Sequence, residues 1–208
     1  MWFDATAVKG KLTGDRLTTF TDLSGNNNHL TATSLGALYD ANSFFGRPTF
    51  NFNGVNTAMT AASRLVALTN ISVFIVARYT SGRIIGVDND TDGNNGLAWL
   101  TTIWAIRTGG VNNDLSFGGQ VANGTIFSLL LGTGGTAGSM SKCNAAAQTT
   151  GTGTAYTDAG VNFHLGSSGN NSSFFTGLVG EVAIYNTKLT EANRDNIHGY
   201  LNSKWGVF

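Results

Sequence analysis

At 208 residues the chain is long enough for one domain with a substantial core, and its even spread of apolar residues gives no reason to divide it, so residues 1–208 are read as a single domain. Twelve acidic residues balance twelve Lys and Arg, and only 12% of the chain is charged, which leaves no electrostatic footprint for nucleic acid or an anionic membrane. No apolar run approaches a membrane span, and 28 glycines against one proline, among many Asn, Thr and Ser, point to an all-β fold of short strands and tight turns.

The single Cys143 excludes an internal disulfide framework, so the fold must rest on its core, as suits assembly in a reducing cytoplasm. Met1-Trp2-Phe3-Asp4 carries neither a basic n-region nor an apolar h-region, and so reads as a start without a classical export signal; a mature domain cut from a longer exported chain would look the same.

Trp2-Phe3-Asp4 leads directly into structure, followed by Leu17, Phe20 and Leu23 in an alternating segment. Residues 22–29, Asp-Leu-Ser-Gly-Asn-Asn-Asn-His, form a tight polar loop of types that tolerate positive φ and cap their own backbone, a structural loop more often than a site. Residues 47–54 alternate cleanly, placing Phe50 and Phe52 on one face and Pro48 at the strand's start, where its missing N–H does least harm. Residues 70–79 make the strongest strand, apolar on both faces as a central strand of two layers requires. Residues 83–87 are expected to pair with it as a hairpin across 80–82. Further strands are expected at 97–106, 115–117, 126–131, 139–143 and 161–165, the spacing of a sandwich or jelly roll, with a hairpin and a long Gly/Thr/Ala/Ser loop inside 132–157. From Gly177 a strand runs to Asn186, and a polar turn leads into the one good helix. Thr190 is its N-cap, Glu191 sits in its first turn, and Lys204 with Gly206 closes it. Ile197, Tyr200 and Leu201 give the helix a face that can dock.

The sharpest local motif is Asp88-Asn89-Asp90-Thr91-Asp92-Gly93-Asn94-Asn95-Gly96. Carboxylates at alternating positions before a Gly reproduce the first half of a calcium loop, because hard oxygen ligands converge where the backbone wraps an ion. Asp88, Asp90, Asp92 and Asn94 are the candidate Ca²⁺ ligands. Trp99 stands where a closing Glu belongs, so the site is either completed from elsewhere or is an Asx-rich hairpin turn. Trp99 and Trp104, beside Asn94 and Asn95, supply the ring faces and amides that sugar recognition uses. Being five apart, the two Trp face opposite sides of a regular strand, so at most one is a platform. Trp2 and Trp205 are expected in the core. His29, His164 and His198 lie far apart without metal-ligand spacing; His164, in an expected strand, and His198, on the terminal helix, read as structural, and His29 closes the polar 22–29 loop.

Trp2 with Asp4, the 22–26 turn, Arg47-Pro48 before Phe52-Asn53-Gly54, the Ser72-Val73-Phe74 strand and the run from Gly180-Glu181-Val182 to Trp205-Gly206 together resemble the concanavalin A-like lectin and glucanase superfamily. More narrowly, they are similar to the laminin-G-like modules of bacterial surface proteins and bacteriophage virion proteins. The resemblance implies a jelly-roll sandwich of two antiparallel sheets with the terminal helix packed at one side. Retaining glucanases of that superfamily carry two glutamates and an aspartate at alternating positions of one strand. Here the only glutamates are Glu181 and Glu191, and Ala183 and Asn186 stand where acids would be needed, so Glu181 reads as paired or solvated on the outer face. The resemblance thus implies a non-enzymatic virion structural protein, a capsid decoration, head-fibre or tail-associated module assembled in a host cytoplasm. Its partners would be other virion proteins and host-surface glycans. The alternative is a carbohydrate-binding module of a bacterial cell-surface or secreted protein, located extracellularly, with a glycan-active hydrolase ranked below both. Exposed sheet edges leave homo-oligomers open.

Overall fold

The computed structural model describes residues 1–62, 71–86 and 162–208, together with the backbone of 104–107, 114–117, 125–131, 139–143 and 149–151. In chain order the strands are β1 (Trp2–Asp4), β2 (Thr19–Phe20), β3 (Leu30–Ala32), β4 (Leu38–Phe44), β5 (Arg47–Asn53), β6 (Met59–Ala61), β7 (Ile71–Ser81) and β8 (Ile85–Gly86). There follow β9 (Trp104–Arg107), β10 (Asp114–Phe117), β11 (Thr125–Leu131), β12 (Ser139–Cys143), β13 (Thr149–Gly151), β14 (His164–Leu165), β15 (Thr176–Tyr185) and the helix α1 (Glu191–Trp205).

The chain is mostly β, with two main antiparallel sheets and one C-terminal helix. The larger sheet runs β13-β12-β11-β7-β15-β5-β4, the smaller β2-β3-β6-β14-β8, and β9 and β10 form a separate hairpin. β15 is the hinge of the larger sheet: one edge pairs with β7 throughout, while the other pairs with β5 over Thr176 to Val179 and then with β1 over Glu181 to Ala183.

The strand at 70–79 is central, as its two apolar faces predict. Val73, Ile75 and Ala77 point into the core between the sheets, with Phe50, Phe52, Val182 and Ile184 from the larger sheet and Leu30, Met59, Ile85 and Leu165 from the smaller. Phe20 of β2 stacks on Phe50 of β5 with ring centroids 3.9 Å apart, joining the two layers. Each such fully buried ring contributes on the order of 2 kcal/mol by removal from water. The alternate residues Phe74 and Val76 point outward, where Phe44, Leu178, Leu201 and Trp205 complete a second apolar cluster under α1.

Two expectations need correction. Residues 85–86 do not return along β7; β8 pairs with β14 in the smaller sheet, because Gly82 (φ 81°) turns the chain out of one layer and into the other. The buried face of α1 is Arg194, His198, Leu201 and Trp205, with Tyr200 48% exposed, because the helix covers a sheet face that offers polar partners as well as apolar ones. The capping scheme is as the sequence indicates: Thr190 Oγ1 accepts from the Asn193 amide, and Gly206 adopts the left-handed conformation at φ 64°.

Candidate functional site

The interval around residue 180 sets the site. Val179 opposes Ala77 and Glu181 opposes Val76, so Gly180 is the extra residue of a β-bulge in β15. The bulge leaves Gly180 and Glu181 both on the outer face, beneath α1. Gly180 lies flat against the Trp205 indole, where a Cβ would sit 2.6 Å from ring carbon Cη2. Glu181, 2% exposed, has both oxygens engaged: Oε1 accepts from Trp2 Nε1 at 2.8 Å, and Oε2 accepts from Lys204 Nζ at 2.7 Å and Trp205 Nε1 at 2.9 Å. Lys204 Nζ also bonds Asp4 Oδ2 at 2.6 Å, so one ammonium joins β1, β15 and α1. Burial opposes the charge on Lys204, but the hydrogen bonds it donates to the two carboxylates, with their charges, outweigh it and raise its pKa. The expectation for Glu181 is met in its paired form.

Asp22 organises the other wall. Its Oδ1 accepts from the amides of Trp2 at 2.8 Å and Ser24 at 3.0 Å, and its Oδ2 from the Asn28 amide at 3.0 Å. Burial pushes the Asp22 pKa up, but these N–H donors and the Ser24 side chain prevail and hold it at about 2. The Asp22 amide in turn donates to His29 Nδ1 at 3.0 Å, giving that histidine the structural role expected of its loop. The 22–29 loop is therefore scaffold, yet it also presents Ser24, Asn26 and Asn28 to a cleft.

That cleft has a volume of about 950 Å³ and lies on the outer face of the larger sheet, between the 22–28 loop, β1, the end of β15 and α1. Trp2, Tyr185 and Tyr200 supply ring faces; Asn26, Asn28, Asn186 and Asn196 supply amides. Tyr185 is 38% exposed, and burial, then the Glu181 and Tyr200 charges, push its hydroxyl above its usual pKa, keeping it a neutral donor and acceptor. The size is that of a small-molecule site, and rings beside uncharged hydrogen-bonding groups suit a ligand with apolar faces and hydroxyl edges. Trp2 is thus a correction: it is only partly buried and lines this cleft, because Glu181 holds its indole N–H at the sheet edge. Trp205, 1% exposed, is core as expected.

Of the residues singled out in the sequence, Asp88, Asp90, Asp92, Asn94, Asn95 and Trp99 lie outside the described residues. Trp104 opens β9, its backbone opposite Phe117 of β10. Among the described residues no group of three His, Cys, Asp or Glu side chains is placed to hold a metal ion. His164 and Ser167 meet at 3.4 Å but are 4% and 0% exposed, inside the fold rather than at a site. The cleft itself was not read from the sequence. The only local signal was the Asn run at 26–28 and the Tyr185-Asn186 pair; what assembles them is the pairing of β1 with β15 across about 180 positions.

No protein-family model matches the chain, and no curated protein matches it in sequence. Solved structures do match in fold. Domain 4 of AbnA, a GH43 extracellular arabinanase from Geobacillus stearothermophilus, in complex with arabinotriose, superposes with a TM-score of 0.63 at 18% identity, over 89% of this chain and 99% of that one. A GH54 α-L-arabinofuranosidase gives 0.62 at 15% identity, over 91% of this chain and 51% of the other, and the binding domain of Paraclostridial Mosquitocidal Protein 1 gives 0.60 at 12%, over 91% and 52%. This chain spans about half the length of the arabinofuranosidase it matches. At these identities the likeness establishes the shared β fold, found in an arabinanase domain solved with arabinotriose, in an arabinofuranosidase and in a toxin's binding domain.

Proposed function

We propose that this chain is a non-enzymatic glycan-binding module on a concanavalin A-like jelly roll, and that the cleft over β1, β15 and α1 is its binding site. The observation that carries the reading is the combination of three aromatic side chains and four amides around one carboxylate, Glu181, both of whose oxygens are hydrogen-bonded within the fold. A general acid or nucleophile needs an oxygen free to meet substrate. Both Glu181 oxygens are already hydrogen-bonded within the fold, and Asp4 shares its cation and bonds Thr6 besides. The neighbour whose structure contains arabinotriose supports an oligosaccharide ligand on such a fold.

Calorimetric titration against neutral plant and bacterial oligosaccharides should give binding that Tyr185→Ala weakens at least tenfold while the circular dichroism spectrum stays unchanged. Absence of binding to every polymer and oligosaccharide tested would sink the reading. In the same proposal the module is displayed on a virion, contacting capsid or tail proteins and host-surface glycans, a setting supported by the resemblance of its terminal motifs to phage modules. Mass spectrometry of purified particles should then find stoichiometric copies, and recovery from cell-wall fractions alone would favour a bacterial surface module instead. Ca²⁺ held by Asp88, Asp90, Asp92 and Asn94 belongs to this proposal as well.

A further inference from the structure

We infer that the cleft selects uncharged saccharides and discriminates against acidic ones such as sialic or uronic acids; the inference rests on the glycan-binding reading and concerns the charge class of the ligand. A shared fold does not decide this point, because the solved structures similar to this chain include one with arabinotriose, a neutral sugar, and a Trypanosoma rangeli sialidase with sialic acid.

The charges around the cleft do decide it. No Lys or Arg side chain lines it among the described residues. A sugar carboxylate is normally met by a guanidinium or ammonium in a charge-assisted pair. The neighbouring cation, Lys204, is committed to Asp4 at 2.6 Å and Glu181 at 2.7 Å, and its side chain is 14% exposed. The Met1 ammonium also borders the cleft, but it donates to the Ile184 carbonyl at 3.0 Å, burial lowers its pKa, and the Asp22 charge already balances it. Glu181 is the charged side chain among the lining residues, and the two nearby cations are already bonded or paired to Asp4, Asp22 and Glu181, so an anion entering the cleft meets a carboxylate and no uncommitted cation among the described residues. The remaining polar groups, Asn26, Asn28, Asn186 and Asn196, each offer both a donor and an acceptor, which matches a sugar hydroxyl and leaves a carboxylate facing oxygens as well as N–H groups.

The test is a set of matched oligosaccharides of equal length, neutral arabino-, xylo- and galacto-oligosaccharides against oligogalacturonides and sialyl-oligosaccharides, titrated at low and high salt. Neutral ligands should bind at least tenfold more tightly at low salt, with the gap narrowing as salt rises. Asn196→Lys, which puts a cation in the α1 wall of the cleft, should narrow the gap further by tightening the binding of the acidic ligands. Acidic ligands binding as tightly as neutral ones, or more tightly, would overturn the charge inference and leave the glycan reading standing. Binding of neither class would overturn both.

Discussion

Asp22 shows how one side chain can be worth more than its size. It accepts backbone donors from Trp2, Ser24 and Asn28, so it fixes the loop that walls the cleft and the strand that supplies Trp2. Its pKa is depressed from 3.8 to about 2, so the stabilisation is complete above the unfolded value and is lost as pH falls through about 2. Discounted for solvent screening, that shift is worth on the order of 1 kcal/mol. Urea unfolding between pH 6 and 2 should therefore steepen in its loss of stability below pH 4, and Asp22→Asn should flatten that part of the profile. A variant with an unaltered acid limb would show that the carboxylate's hydrogen bonds carry no such energy. The residue types of the 22–29 loop made its polar, self-capping character legible. That Trp2 was its partner was not, because twenty positions separate them.

At the scale of elements, β15 and α1 behave as one unit. Ser72, buried in the strongest strand, donates to the Thr187 carbonyl at 2.8 Å and accepts from the Leu189 amide at 3.0 Å, pinning the turn between them. The bulge at Gly180 then lets the indole of Trp205 lie against bare backbone. Gly180→Val should cost about 2 kcal/mol by overpacking, lowering the melting temperature by roughly 5 °C for a domain of this size. Indole fluorescence should redshift as Trp205 is displaced; an unshifted spectrum with wild-type melting would show that the helix is not seated on that glycine. Helix caps and the central strand were readable because they rest on local propensity and periodicity. The bulge was not, since the alternation it breaks looks the same in sequence as an unbroken one, and it changes which residues near Glu181 share a face.

For the whole molecule, the proposed Ca²⁺ site predicts a stability that depends on the ion, because a ligand bound only by the native state raises its melting temperature. Replacing Asp90 and Asp92 with Asn should lower the melting temperature in calcium and leave it unchanged in chelator; equal shifts in both would mean a simple turn. The sequence by itself determined the β class, the order of most strands, the capped C-terminal helix and the absence of a glucanase-type acid set, because each follows from short-range pattern or from residue counts. Only the tertiary structure decided that β8 leaves β7 for the other sheet, that Trp2 and Tyr200 face a cleft rather than the core, and that both Glu181 oxygens are engaged. Those outcomes depend on which distant segments pair, β1 with β15 above all, and pairing is fixed by the packing of the whole sandwich rather than by any stretch of it.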